Sequence, residues 1–145
     1  MNKKLFVLIL VVFFVFTKVS VQTNDGYELA ITAFAASADN VQQNQLFTVT
    51  ATPRNVGSEQ FPGGQVGAAL VDNNGRIIAV VGTRNRGTLN AGSLSGALEF
   101  SCTVPHTVNP GRYQLWAVIR PNGGDWRLAT LASPNIPTSI NFEVQ

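Results

Sequence analysis

Cys102 and His106 are the only cysteine and the only histidine of this 145-residue chain. A nucleophilic cysteine needs an adjacent base, so this pair is the first candidate for catalysis. The surrounding residues oppose it. Cys102 shares strand parity with Phe100 and Val104, where a thiol packs as a small hydrophobe. His106 follows Pro105 beyond that strand, and no third group nearby would orient its ring. No catalytic residue is assigned. One His and one Cys cannot supply a zinc site. Asp72-Asn73-Asn74-Gly75 shares the opening of a calcium loop but lacks the closing glutamate, and reads as a hairpin turn. The acids are scattered singly, so no carboxylate pair is available for glycoside hydrolysis. The chain therefore carries no assigned metal or cofactor.

Binding chemistry is better represented. Trp116 and Trp126, with Arg120 and Arg127, are the candidate ligand-binding residues. Together they could form an aromatic platform for sugar rings or peptide. The competing reading is that at least one Trp packs over an edge or under a loop. Arg76, Arg84 and Arg86 form the one local basic cluster, and read as a solvated loop after a strand rather than an anion site.

The elements that must position these residues are short strands separated by turns, with no helical period. Tyr27, Leu29, Ile31 and Ala33 share one face of the first strand, and Phe47, Val49 and Ala51 one face of the second, which ends at an Asn55-Val56-Gly57 turn. Gln65 to Val71 is a more apolar run, and Arg76 to Gly82 returns from it through Asn74-Gly75, where both central residues of the favoured turn need positive φ. Leu94 to Val104 places Leu94, Leu98, Phe100, Cys102 and Val104 together, with Ser95, Ala97, Glu99, Ser101 and Thr103 opposite. Tyr113, Leu115, Ala117 and Ile119 face inward on the next strand, and Gln114, Trp116, Val118 and Arg120 face the other way. Trp126 to Leu131 is expected to return after Pro121-Asn122-Gly123-Gly124, and Ser139 to Val144 is the last strand. Tyr113, after Pro110-Gly111, stands where a tyrosine corner ties a strand to its preceding connection in immunoglobulin-like sandwiches. The expected fold is all-β, an immunoglobulin-like β-sandwich of about seven to eight antiparallel strands.

An export signal precedes this domain. Asn2-Lys3-Lys4 is a short positive region, and Leu5 to Phe16 is an unbroken apolar run closed by Lys18. A bilayer-spanning helix needs about 20 such residues, so the run fits a secretory signal. Residues 1–22 are read as the signal and 23–145 as the domain. The mature part keeps seven basic residues, all Arg, against eight acids, for a net charge of −1. That balance leaves no electrostatic footprint for nucleic acid. A lone cysteine in an exported chain forms no internal disulfide, so the core must hold the fold.

The order of these features resembles a known group. Phe47-Thr48-Val49, Arg54-Asn55-Val56-Gly57, Phe61-Pro62-Gly63-Gly64, Leu70-Val71-Asp72-Asn73-Asn74-Gly75, Phe100-Ser101-Cys102-Thr103-Val104-Pro105, Pro110-Gly111-Arg112-Tyr113-Gln114-Leu115 and Trp126 carry the resemblance. From about Tyr27 to Val144 the chain is similar to the C-terminal β-sandwich accessory domains of streptopain-like cysteine proteases of anaerobic Gram-negative bacteria. The protease domain has no counterpart here, so its activity is not implied, and Cys102 matches a strand cysteine of the accessory domain.

The expected function is that of a secreted, periplasmic or surface-located, non-enzymatic binding or accessory module. Its partner is a protein or a surface glycan, and a secreted protease is one possible associate. No nucleic acid, no membrane span in the mature chain and no particular oligomeric state is implied. A glycan-binding module using the Trp residues, and a structural subunit of a surface assembly, are the alternatives. The exported product should begin at Gln22 or Thr23. Intact-mass analysis of culture supernatant and envelope checks this, and a product retaining residues 1–22 would show an uncleaved anchor instead.

Overall fold

The computed structural model describes residues 26–131 and 139–145; the proposed signal lies outside them. Ten short strands make up the described part: β1 (Leu29–Ala36), β2 (Asn40–Val41), β3 (Leu46–Asn55), β4 (Gly64–Val71), β5 (Ile77–Arg86), β6 (Leu98–Thr103), β7 (Gly111–Pro121), β8 (Arg127–Leu128), β9 (Thr130–Leu131) and β10 (Ser139–Val144). One sheet has the order β6-β3-β1-β9, the other β2-β10-β7-β4-β5, with β8 added to β7. The two sheets bury their facing sides against each other, which makes an all-β sandwich. The strand order, with β1, β3 and β6 opposite β10, β7, β4 and β5, is immunoglobulin-like. Among the described residues no helix is long and apolar enough to cross a membrane.

The ladders are mainly antiparallel, but β9 runs parallel to β1 and β2 parallel to β10. The segment expected to return as one strand from Trp126 to Leu131 is two: β8 pairs with β7, then β9 pairs with β1 in the opposite sheet. Ala129, between them, is buried in the core.

The core is formed by the expected alternations on β3 and β7. Phe47, Val49 and Ala51 are buried, as are Leu115, Ala117 and Ile119. Phe100, Cys102 and Val104 join them from β6 and the residue after it. Phe47 meets Phe142 of β10 across the sandwich, with ring centroids 5.2 Å apart. Burying this apolar area from both sheets is the main driving force for the fold.

Four sequence expectations change. On β1 the ladder slips between Ile31 and Ala33, so Ala33 is exposed and Phe34 is buried. A bulge adds one residue to one strand, and every later side chain changes face. Tyr27 lies before β1 and packs edge-on to the fully buried Phe61, with centroids 5.4 Å apart. Leu94 is 58% exposed and Ser95 is buried, the reverse of the expected parity. Their segment is not part of β6; it makes one bridge, Arg54 to Leu94, and Ser95 N–H donates to the Pro53 carbonyl. At the β4–β5 hairpin only Gly75 has positive φ, at 77°. Gly75 N–H donates to the Asp72 carbonyl and Asp72 N–H to Arg76, which is a three-residue loop with a glycine bulge rather than the mirror-image turn.

The register places 56–63, 87–97 and 121–126 at one end of the sandwich, where β1 begins. Two contacts hold this end together. The first is the side chain of Asn55, fully buried at the end of β3. Its amide nitrogen donates to the carbonyls of Glu59 at 2.7 Å and Leu89 at 2.9 Å. Its oxygen accepts from the backbone N–H groups of Glu28 at 3.2 Å and Gly57 at 3.1 Å. One amide thus satisfies four backbone groups from three segments. The second contact joins two glycine-containing turns. Asn122 N–H donates to the Gly63 carbonyl at 2.9 Å, and its side-chain nitrogen lies 3.3 Å from the Pro62 carbonyl. A Cβ on Gly64 would collide with the Arg120 carbonyl, so only glycine lets the chains cross there.

Asn55→Ala should lower stability by about 3–5 kcal/mol, because it strands several buried backbone groups at once. Urea unfolding of both proteins measures it, and a loss under about 1 kcal/mol would show that water replaces the amide.

Candidate functional site

The four candidate binding residues do not form one platform. Trp116 projects from the face of β7 opposite the Leu115, Ala117 and Ile119 side, as parity implies, and is half-buried. Its Nε1–H donates to the Ala129 carbonyl at a long 3.4 Å. Trp126 precedes β8, is half-buried, and lies against β4, with its ring tip 3.4 Å from where a Gly67 Cβ would stand. The Arg120 guanidinium carbon is 5.2 Å from the Trp126 ring centroid, and the Arg127 carbon 5.7 Å from that of Tyr27. Each pair is within cation–π reach. The two indoles make no ring-to-ring contact with each other.

Outward parity on this sheet does not mean exposure. Ala69 and Val118 pair with β7 and β8 on the outer side and are fully buried without belonging to the central core. The half-buried indoles on that same face account for this, and their area makes Trp residues effective covers. Parity thus fixes the side on which Trp116 lies, while its neighbours fix how much of it water can reach.

Arg120, Trp126 and Arg127 converge instead around the 121–125 turn. An open groove of about 730 Å³ lies on one side of the turn, between it, the Pro62-Gly63-Gly64 segment and the end of β5. Arg86 and Arg120 line it. A smaller groove of about 380 Å³ lies on the other side, lined by Tyr27, Asp125, Trp126 and Arg127. A third, of about 530 Å³, is at the opposite end and contains Asp39, Arg112 and Glu143. The signal that sequence reasoning passed over is the pair of glycine turns, Pro62-Gly63-Gly64 and Pro121-Asn122-Gly123-Gly124, which meet in space.

The basic cluster is placed differently from its sequence reading. β5 extends to Arg86, so Arg84 and Arg86 are strand residues. Arg84 donates to the Glu99 carbonyl at 2.8 Å and Arg86 Nε to Ser95 Oγ at 3.0 Å, which ties β5 to β6 and to the chain leading into it. Arg76 is apart from both, paired with Asp72 at 3.3 Å. The Arg76 N–H, then the Asn74 N–H and the Arg76 charge, hold the Asp72 carboxyl below the usual range against an opposing desolvation. Its oxygens are thus committed to the hairpin.

Cys102 and His106 are separated by environment. Cys102 is buried and packs against Gly82 of β5, where a Cβ would collide with its sulfur; His106 is exposed in the β6–β7 connection. Burial pushes the Cys102 thiol up to about 12. Among the described residues no three His, Cys, Asp or Glu side chains come together. Tyr113 makes the expected corner, its hydroxyl donating to the Asn109 carbonyl at 2.7 Å.

No protein-family model and no curated protein matches the chain. Among solved structures, the CARDB domain of a Pyrococcus furiosus protein, in complex with di-metal ions, is 19% identical with a TM-score of 0.45, covering 88% of this chain and 97% of that one. A β-glucosidase from Erythrobacter marinus is 16% identical at a TM-score of 0.47, over 82% of this chain and 16% of that one. A Niemann-Pick type C2 protein from the Japanese carpenter ant is 10% identical at 0.44, over 86% and 99%. At these values the likenesses bring no functional property to this chain.

The raised thiol gives a pH prediction. Between about 9.0 and about 12 the unfolded chain loses the Cys102 proton while the folded chain keeps it. The unfolded state then binds fewer protons, so the thiol's contribution to stability is full below pH 9.0 and is lost as pH rises through this window. The slope is up to about 1.4 kcal/mol per pH unit. Alkylation of the native protein should stay slow to pH 10 and become fast in denaturant; rapid native labelling at pH 8 would place the thiol at the surface.

Proposed function

We propose that this chain is an exported, non-enzymatic binding module whose loop end takes a protein or glycan partner at an envelope or extracellular surface. One observation carries the reading: the 121–125 turn is fastened to Gly63 and is flanked by two open grooves. Binding residues on loops are effective when a rigid scaffold presents them, because less conformational entropy is lost on association. The buried Asn55 amide and the Gly63–Asn122 contact supply that rigidity directly beneath the grooves. A place beside a separately encoded secreted protease follows from the accessory-domain resemblance.

A glycan partner is favoured by the second groove. Tyr27 and Trp126 bring two aromatic rings and Asp125 and Asn122 two hydroxyl-pairing side chains to one concave surface, the combination that sugar rings use.

A photo-crosslinking residue at Thr88, which is exposed on the larger groove, should capture a partner in the producing bacterium; the same residue at Asn73, at the other end of the sandwich, should not. Equal capture from both positions, or from Asn73 alone, would overturn the assignment of the loop end.

A further inference from the structure

We infer that one outward row of side chains at the loop end, Arg120, Gln65 and Asn85, is a subsite that reads the carboxylate of an acidic glycan, with Arg120 as its anchor. This rests on the reading of the loop end as the recognition surface and adds the chemistry of the ligand. Gln65 of β4 stands directly opposite Arg120 of β7 on one side and Asn85 of β5 on the other. Residues opposed across strands present their side chains on one face of a sheet. All three therefore point outward, as Trp116 and Val118 do on β7, and all three line the larger groove. Arg86, next to Asn85 on β5, points to the other face, where it is bonded to Ser95, and takes no part.

The hydrogen bonds along this row have only one possible direction. Arginine carries donors and no acceptor. The 2.6 Å contact from Arg120 Nη2 therefore fixes the facing Gln65 atom as its oxygen, Oε1. The nitrogen, Nε2, is then turned toward Asn85 and donates to Oδ1 at 3.3 Å. Both amide oxygens already accept a bond within the row. The hydrogens left over are those of Asn85 Nδ2, one on Gln65 Nε2 and the remaining N–H groups of Arg120. The row is a strip of donors with a positive charge at one end, and it crosses three strands, roughly 10 Å.

Arg120 is exposed but held. Gln65 takes one of its terminal nitrogens, and its guanidinium carbon lies 5.2 Å from the centroid of Trp126, which rests over Gly67. A guanidinium fixed before the ligand arrives loses less freedom on binding. Among the described residues no carboxylate pairs with Arg120. The larger groove contains no acid, whereas the one beside Trp126 contains Asp125 and the one at the far end Asp39 and Glu143. The mature chain is net negative, so the positive charge of this groove is local. A negatively charged group that only accepts is the complement of such a row, and a carboxylate has the planar shape to take two N–H donors from one guanidinium.

The rest of the row favours a glycan over an acidic peptide. An extended peptide alternates carbonyls with fixed N–H groups, and those N–H groups would meet donors here. A sugar hydroxyl rotates and can accept from each of them. Gly63 and Gly64, beside the row, raise no side chain against a ligand that crosses the strands.

The test uses the mature protein and three probes: a short oligogalacturonate, the same oligomer fully methyl-esterified, and an oligoglutamate of equal length. Each is titrated by NMR, following the backbone amides and the side-chain NH2 signals of Gln65 and Asn85. The oligogalacturonate should shift both side-chain signals, and added salt should weaken it. Esterification, Arg120→Gln and Arg120→Lys should each reduce affinity about tenfold or more, the last because lysine keeps the charge and loses the fork. Asn85→Ala should cause a smaller loss. Arg112→Gln, which makes the same change of charge at the far end, should cause none. Unchanged melting temperatures confirm that each variant folds. Equal binding of acid and ester, an equal loss in Arg112→Gln, or shifts confined to another groove would overturn the inference, and stronger binding of oligoglutamate would overturn the sugar. If the acid fails to bind while Thr88 still crosslinks a partner, the ligand chemistry is wrong and the loop-end reading stands.

Discussion

A single buried amide does at one end of this molecule what disulfides do in many small exported domains. Asn55 closes β3 with all of its side-chain hydrogen-bonding capacity used on backbone groups: Glu28 before β1, Gly57 and Glu59 after β3, and Leu89 after β5. Its own N–H and C=O pair with Ser93 and Gly92. Loops of a β-sandwich carry many backbone groups that no ladder satisfies, and burying them is costly unless each finds a partner. With Asn55 in place, the 56–63 and 87–97 segments can bury Phe61 and Leu89 without stranding those groups. The turn after β7 then has a fixed surface on which to rest.

The same economy appears where the two sheets meet at their β5 and β6 edges. Gly82 lets β5 approach Cys102 and Ser101 closely, and Arg84 and Arg86 reach from β5 to the 95–99 segment. An exposed sheet edge invites pairing with other chains. Here the edge of β5 is covered by the chain's own β6 side, so the thiol is sealed beneath backbone. Its high pKa is a consequence of that seal.

Much of this was legible in the sequence. The alternation on β3 and β7, the Asp72–Gly75 hairpin, the burial of Cys102 and the corner at Tyr113 follow from local patterns, because each depends on neighbours in the chain. What escaped is non-local. The slip after Ile31 leaves no composition signature among Ala30, Thr32 and Ala33, so the face of Phe34 could not be read. Ser95 is buried because Pro53 and Arg86 come to it from two other strands. Parity gave the side on which Trp116 lies, but not that Trp126 would fold back over Gly67 and remove the outer face from water. Asn55 reads as a turn residue until its partners, up to 34 positions away, are known.

The two short parallel ladders bear on how the domain responds to pulling. β1 enters at the loop end, β10 leaves at the other, and each is held by a parallel partner, β9 and β2. Tension between the two chain ends draws Leu29 and Val144 apart along the strand direction. Parallel strands displaced lengthwise strain all their hydrogen bonds together, whereas a hairpin peeled from its open end gives them up one at a time. Two residue pairs in each parallel ladder share the load here, beside the longer antiparallel ladders that join β1 to β3 and β10 to β7, so lengthwise tension shears these bonds instead of peeling them.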